Sequence, residues 1–242
     1  MPDFKTHITG STIVGIAFGY WGVAQQGMTL ETGILAAGLC SVSGMLPDLD
    51  SDSGIPLRET SMFGSAVIPI LMLDRFRAME LSHESMVVAT MLIYIGIRFV
   101  IVEFFRRFTV HRGMWHSIPA AATAGLVPYL VTPCPEESIR LFKTASVVLG
   151  FVVHLALDEI WSLEFGFLKF RAKKSFGSAL KLFGNNQMAN MLAYAQVAFL
   201  AYVAWGDTDI AERLRDRARF DDQHIAQPAQ DARPWDNFLS RR

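Results

Sequence analysis

Between Ile8 and Pro47 the chain carries a single charged residue, Glu31. This run divides into two apolar segments, from about Ile8 to Val23 and from about Thr32 to Leu46, the second stopped by Pro47. Five more follow, near Met62–Leu73, Met86–Val102, Ile118–Val131, Ala145–Leu157 and Met188–Trp205. Only 19% of the residues are charged and 51% are hydrophobic, whereas a soluble domain carries about 25% charge. So many apolar segments point to a bilayer rather than to one large water-soluble core. The expected fold class is all-α, a polytopic transmembrane helical bundle of about six to seven spans. Residues 1–205 are expected to form the membrane-embedded domain, and 206–242, rich in Arg and Asp, a polar and partly disordered tail. A straight span needs roughly 20 residues. Several segments are shorter and need interfacial flanks, and Met62–Leu73, which holds Pro69, could be re-entrant.

The charge balance removes other classes. A net charge of −1 gives no bulk case for nucleic-acid binding. Two cysteines, Cys40 and Cys134, build neither a disulfide framework nor a thiolate zinc site, and Cys40, inside an apolar run, is expected to be buried. The start, Met-Pro-Asp-Phe-Lys-Thr-His, is not a typical secretory signal, so the first apolar segment is expected to be retained.

Polar groups interrupt the apolar segments at four places: His7; Asp48 with Asp50; His111, Arg112 and His116 in His-Arg-Gly-Met-Trp-His-Ser; and His154 with Asp158. If all seven segments cross, every one of these clusters returns to one membrane face. If Met62–Leu73 does not cross, His111 and His116 fall on the face opposite Asp48. Lys5, Arg58, Arg106, Arg107, Arg112, Lys169, Arg171, Lys173, Lys174 and Lys181 lie on the cluster side, and Arg75, Arg77, Arg140 and Lys143 on the other. That excess places the clusters on the cytoplasmic face. The Arg-rich tail, which seven spans would put outside, runs against the same rule.

Each cluster alone has a blander reading. His154 and Asp158, four apart, share one helix face, where they serve as a metal-ligand pair or as a hydrogen-bonded pair inside the bundle. Asp48 and Asp50, two apart in an extended turn, can bridge metal ions or be an ordinary solvated loop. His111 and His116 are five apart with Gly113 between, suiting a bent ligand loop or a polar interfacial one. Trp115 fits an aromatic belt, Arg112 an anion clamp or a positive-inside cluster, and Ser117 a helix N-cap. Gly10, Gly15, Gly19 and Gly22 lie near helical spacing on what could be a close-packing face. Together the clusters supply enough ligands for one or two divalent ions with an open position for water.

These motifs resemble the YdjM-like family of LexA-binding, inner-membrane-associated, metal-dependent hydrolases. The likeness rests on Thr6-His7, Leu46-Pro47-Asp48-Leu49-Asp50, His111-Arg112-Gly113-x-x-His116-Ser117 and Gly150-x-x-x-His154-Leu155-x-x-Asp158, and covers residues 6 to about 165. It implies an integral protein of the inner membrane with divalent-metal hydrolase activity. The chain departs from the pattern after Asp158, where Glu159-Ile160-Trp161-Ser162 replaces a Thr and a Pro-Gly turn. Lys173–Ser178 and the tail look like additions to it; the lysines there suit anionic lipid headgroups.

The expectation is therefore an enzyme. His7, Asp48, Asp50, His111, His116, His154 and Asp158 would hold one or two divalent ions, Zn²⁺ or Mn²⁺ by ligand type. Arg112 would orient an anionic ester and Asp158 could act as base. The substrate would be a phosphoester or related ester, free or part of a lipid, and membrane lipids the surrounding partners. The alternatives are a transporter, which would place its polar groups near mid-membrane, and a non-catalytic scaffold with structural His and Asp residues.

Overall fold

The structure, a computed structural model, describes residues 3–50, 55–103, 114–134, 136–166, 169–172 and 180–207. Helix α1 (Phe4–Gln25) is capped by Asp3, whose carboxylate accepts from the Thr6 amide at 2.9 Å. The helix buries His7, Ser11, Gly15, Gly19 and Gly22. This is one face at helical spacing, and it is made of small and polar residues. The large apolar residues Ile13, Ile16 and Tyr20 are exposed, as lipid-facing positions should be. A soluble helix would show the reverse arrangement.

The glycine stripe packs on α2 (Leu30–Ser43). A Cβ at Gly15 would stand 2.6 Å from the Ala37 carbonyl, and one at Gly19 would collide with that of Gly33. The expected close-packing face is therefore real over Gly15 and Gly19, while Gly10 lies against Leu157 and Gly22 against Phe142, both of another helix. Cys40 is fully buried in this packing. Pro47–Asp50 then form a 3-10 turn. The extended turn expected for Asp48 and Asp50 is thus corrected: the Asp48 and Leu49 amides bond back to the Met45 and Leu46 carbonyls, so the backbone coils.

Helix α3 (Ile55–Leu71), with Pro69 near its end, leads into the short α4 (Leu73–Ala78). Helix α5 (His83–Ile95) continues as a π-helical segment, Gly96–Ile101. Then come α6 (Ile118–Val131), α7 (Glu137–Ile160), a hairpin of β1 (Leu163–Gly166) and β2 (Lys169–Ala172), and α8 (Gln187–Gly206). The antiparallel hairpin pairs Leu163 with Ala172 and, like the short α4, is not announced by the hydropathy pattern. The fold class is otherwise as expected, an all-α membrane bundle. Three helical stretches are long and apolar enough to cross a bilayer: His83–Ile101, Glu137–Ile160 and Gln187–Gly206; α2 and α6 are shorter apolar helices.

Helix α7 is central, packing on α1, α2 and α6. Ala120, Ala121 and Ala124 of α6 meet Val147, Phe151 and Leu155 of α7 in the main core cluster. The helix begins earlier than the apolar run Ala145–Leu157 because its first turns contain Arg140, which is fully buried. Arg140 Nε donates to the Tyr129 carbonyl at 2.7 Å, its Nη2 donates to Asp207, and its guanidinium lies over the Tyr129 ring. Arg75 donates to both Asp207 oxygens, at 2.7 and 2.8 Å. The ends of α4, α6, α7 and α8 are thus tied by two arginines around one carboxylate. Arg75, Arg77, Arg140 and Lys143, expected in loops, all lie in helices. Asp207, expected in the tail, closes the bundle; residues 208–242 lie outside the described residues, as do Lys173–Ser178.

His154 lies roughly 21 Å further along α7 than Arg140, at 1.5 Å per residue. The two polar clusters therefore mark opposite ends of the bundle. Helix α3 packs against the Pro47–Asp50 turn and leads towards Arg75, so it runs the bundle's length rather than turning back.

Burial favours the neutral form of Asp207, but Arg75 and Arg140 outweigh it and hold the carboxyl below the usual carboxylate range. Its contribution to stability is in place above the ordinary carboxylate pKa and fades as pH falls through the lowered folded value. Asp207→Ala strands a fully buried arginine and is expected to cost roughly 3–5 kcal/mol. Denaturant titration of the detergent-solubilised protein at neutral pH checks this.

Candidate metal centre

Four chain segments deliver five side chains to one end of the bundle. His7 enters on the first turns of α1, where the Ser11 hydroxyl donates to the His7 carbonyl at 2.8 Å and also to that of Ser41 at 3.1 Å, fastening α1 to the end of α2. Asp48 is brought back by the 3-10 turn after α2. His116 stands one residue before Ser117, the N-cap of α6, whose side chain accepts from the Ala120 amide as expected. The Trp115 indole donates to the Leu46 carbonyl at 2.6 Å. Trp115 is thus tied to the Asp48 turn and packed on the core. The Ile118 amide donates to the Lys181 carbonyl, which fastens the start of α6 to the segment before α8. His154 and Asp158 project from α7 on one face, 3.7 Å apart.

His7, His116, His154 and Asp158 are all buried. Asp48 is the most open of the five, with 17% of its side chain exposed. His154 Nδ1 lies 2.6 Å from the Gly44 carbonyl. A carbonyl only accepts, so Nδ1 carries the proton and Nε2 presents a lone pair. That Nε2 has no hydrogen-bond partner, and neither has either Asp158 oxygen. Around it stand Asp48 Oδ1 at 3.6 Å and Asp158 Oδ2 at 3.7 Å; His7 Nε2 lies 3.4 Å from Asp158 Oδ1 and His116 Nε2 3.5 Å from Asp48 Oδ1. The His7 and His154 rings stack 3.6 Å apart. Burial favours the neutral form of Asp48, but the imidazoles of His116, His154 and His7 outweigh it and hold the carboxyl below the usual carboxylate range.

These separations are long for hydrogen bonds. They match the edges of a coordination tetrahedron, since Zn²⁺–N and Zn²⁺–O bonds of about 2.0–2.2 Å place ligand atoms ~3.3–3.6 Å apart. Two triads bring one ligand atom from each residue within 4.8 Å of one another, His7/His154/Asp158 and Asp48/His116/His154. The donor set and the unpartnered buried atoms fit a divalent ion.

Of the residues expected to bind metal, His7, Asp48, His116, His154 and Asp158 converge. His111 and Arg112 lie outside the described residues, as does the side chain of Asp50, whose backbone ends the 3-10 turn. Two positions that shape the site are backbone ones that a search for ligands passes over. Gly44 offers the carbonyl that orients His154, and a Cβ on it would strike the Ser11 side chain. Gly150, one turn before His154, lets α7 approach α2 so closely that a Cβ would collide with the Cys40 carbonyl and Ser43. Its signal in the sequence is the Gly150-x-x-x-His154 spacing.

The fold and this cluster define an integral membrane helical bundle with a buried His/Asp centre at one end. The chain belongs to the YdjM inner membrane protein family, which it matches over residues 1–207. That match ends where the described bundle ends, and it agrees with the resemblance carried by the four motifs. Comparisons with curated proteins and with solved structures return no match.

Gly150→Ala is expected to destabilise the protein by roughly 1–3 kcal/mol through overpacking. Gly38→Ala on α2, where a Cβ would meet nothing within 4 Å, should leave stability unharmed. Parallel thermal melts in detergent compare the two.

Proposed function

We propose that the chain is a membrane-embedded, metal-dependent hydrolase acting on a phosphoester or related ester. The observation that carries this reading is the convergence of three imidazoles and two carboxylates from four segments, with His154 Nε2 and both Asp158 oxygens buried and free of hydrogen-bond partners. Buried polar atoms without partners are expensive, and a cation answers all of them at once. His7, Asp48, His116, His154 and Asp158 would hold it, with His111 and Asp50 as further donors. The mixed nitrogen and oxygen set suits Zn²⁺ or Mn²⁺.

Bound there, a divalent ion supplies Lewis acidity towards an ester oxygen and lowers the pKa of water. The chain's own groups do the rest. Asp158 has two carboxylate oxygens; one suffices as a ligand, and the other would take a proton from the incoming water. Arg112, four residues before His116 in sequence, would pair its guanidinium with the anionic ester. Asp48, the most exposed ligand, stands where substrate enters. The excess of basic residues that the segment count puts on the cluster side favours a cytoplasmic orientation. The position of the cluster at an end of the bundle, away from its middle, favours hydrolysis over transport.

Elemental analysis of detergent-purified protein tests the reading. Near-stoichiometric zinc or manganese is expected in the wild type and is expected to be lost from His116→Ala and Asp158→Ala, each checked for folding by circular dichroism. Phosphoester turnover should follow metal content and fall by at least about a hundredfold in both variants, more than the loss expected from an outer-shell change. Folded wild type that neither retains nor binds added Zn²⁺ or Mn²⁺ would overturn the proposal.

A further inference from the structure

A second feature adjoins the His/Asp cluster. A cavity of about 430 Å³ lies between α2, α3, α6 and α7, within the size range of small-ligand pockets, about 300–1,000 Å³. Its wall is almost wholly apolar, with Ser43, Thr60, Thr123 and Gln196 as its polar side chains and no charged residue. The cavity is long: its lining on α3 runs from Thr60 to Leu71, roughly 16 Å of helix.

One end of this cavity is built from the segments that carry the cluster. Leu49 lines it and follows Asp48; Trp115 lines it and precedes His116; Ser43 lines it and precedes Gly44, which orients His154. The other end, at Leu71 and Val131, lies towards the Arg75–Asp207 clamp, which also engages the Leu130 carbonyl. The cavity is open along part of its wall, where Phe63, Ile101 and Val127 are exposed, and water gains little from so few polar partners. In a bilayer the matching occupant is a hydrocarbon chain.

Resting on the hydrolase reading above, we propose that this cavity holds one acyl chain of a membrane lipid and presents that lipid's ester or phosphoester to the His/Asp cluster. The substrate class is then an amphipathic ester, selected by its tail. An annular lipid needs no such slot, because the exposed faces of α5 and α8 already meet the bilayer through residues such as Met91 and Phe199.

Gly64 on α3 allows the slot to be closed. It lines the cavity, and a Cβ there would meet only Ile68 Cδ1, at 3.6 Å. Gly64→Phe should fill the void without displacing a helix; Val127→Phe, from the α6 wall, is the second variant. The full chain is reconstituted in vesicles with a phospholipid bearing a diazirine in one acyl chain, and labelled peptides are mapped by mass spectrometry. Labelling at Val67 and Ile68 is expected to fall at least fivefold in Gly64→Phe, while labelling of Met91 and Phe199 stays constant. Cavity labelling no higher than on α5 and α8, or unchanged in both folded variants, overturns the acyl-chain site. A second arm uses the metal-loaded protein and compares a long-chain phosphoester lipid with its water-soluble short-chain analogue. At least a tenfold loss on the long-chain ester alone in Gly64→Phe supports the substrate class. Turnover of both esters that is indifferent to Gly64→Phe overturns the substrate class and leaves the hydrolase reading standing. Labelling of the slot without turnover of either ester overturns both the substrate role and the hydrolase reading, and leaves a structural lipid site.

Discussion

The close approach of α7 to α2 is the constraint on which the rest of the structure depends. At Gly150 the two backbones come near enough that the Cys40 carbonyl occupies the space a side chain would need. Only that proximity allows His154, one turn further on, to reach the Gly44 carbonyl. The hydrogen bond then sets the tautomer and aims Nε2 at Asp48 and Asp158. On the other side of α2, the α1 stripe of Ser11, Gly15 and Gly19 does the same work for His7. In both contacts a missing side chain lets a helix approach α2 and so places an imidazole of that same helix.

This explains which parts of the fold were legible in the sequence. Inside a bilayer, apolar residues face lipid as readily as they face the core, so hydropathy reports where helices are and says little about which face is buried. Helix α1 is apolar nearly all round, yet its buried face is His7, Ser11, Gly15, Gly19 and Gly22. The spacing of small and polar residues carries the packing information that spacing of apolar residues carries in a soluble helix. The segments and the glycine face could be read for that reason. Arg140 could not. A charge near the start of an apolar run looks like a loop residue, and its burial depends on Asp207 and Tyr129, distant in sequence and adjacent only once the bundle is assembled.

The site was legible to a similar depth. Alternation of segments across a membrane puts His7, Asp48, His116, His154 and Asp158 at one end on topology alone, provided α3 runs the length of the bundle. Topology gives no distances and no partners. The coil of Pro47–Asp50 follows from Met45 and Leu46 carbonyls capturing the next amides, an arrangement that an Asp-Leu-Asp sequence does not demand. Trp115 read as an interfacial aromatic because nothing in its neighbours announces the Leu46 carbonyl that its indole meets.

The geometry also bears on how many ions the cluster holds. His154 belongs to both ligand triads, but its Nε2 has a single lone pair, since Nδ1 is committed to Gly44. An ion bound to His154 can therefore draw on His7 and Asp158 from one side and on Asp48 and His116 from the other. A second ion would have to do without His154 and use what the first leaves, Asp48 with His116 or His7 with Asp158. On the proposed metal reading, the five converging residues would hold one ion strongly, and a second would be the weaker and more exchangeable, towards Asp48 where the cluster is most open. A titration with two resolved affinities, the tighter abolished by His154→Ala, is what this arrangement predicts.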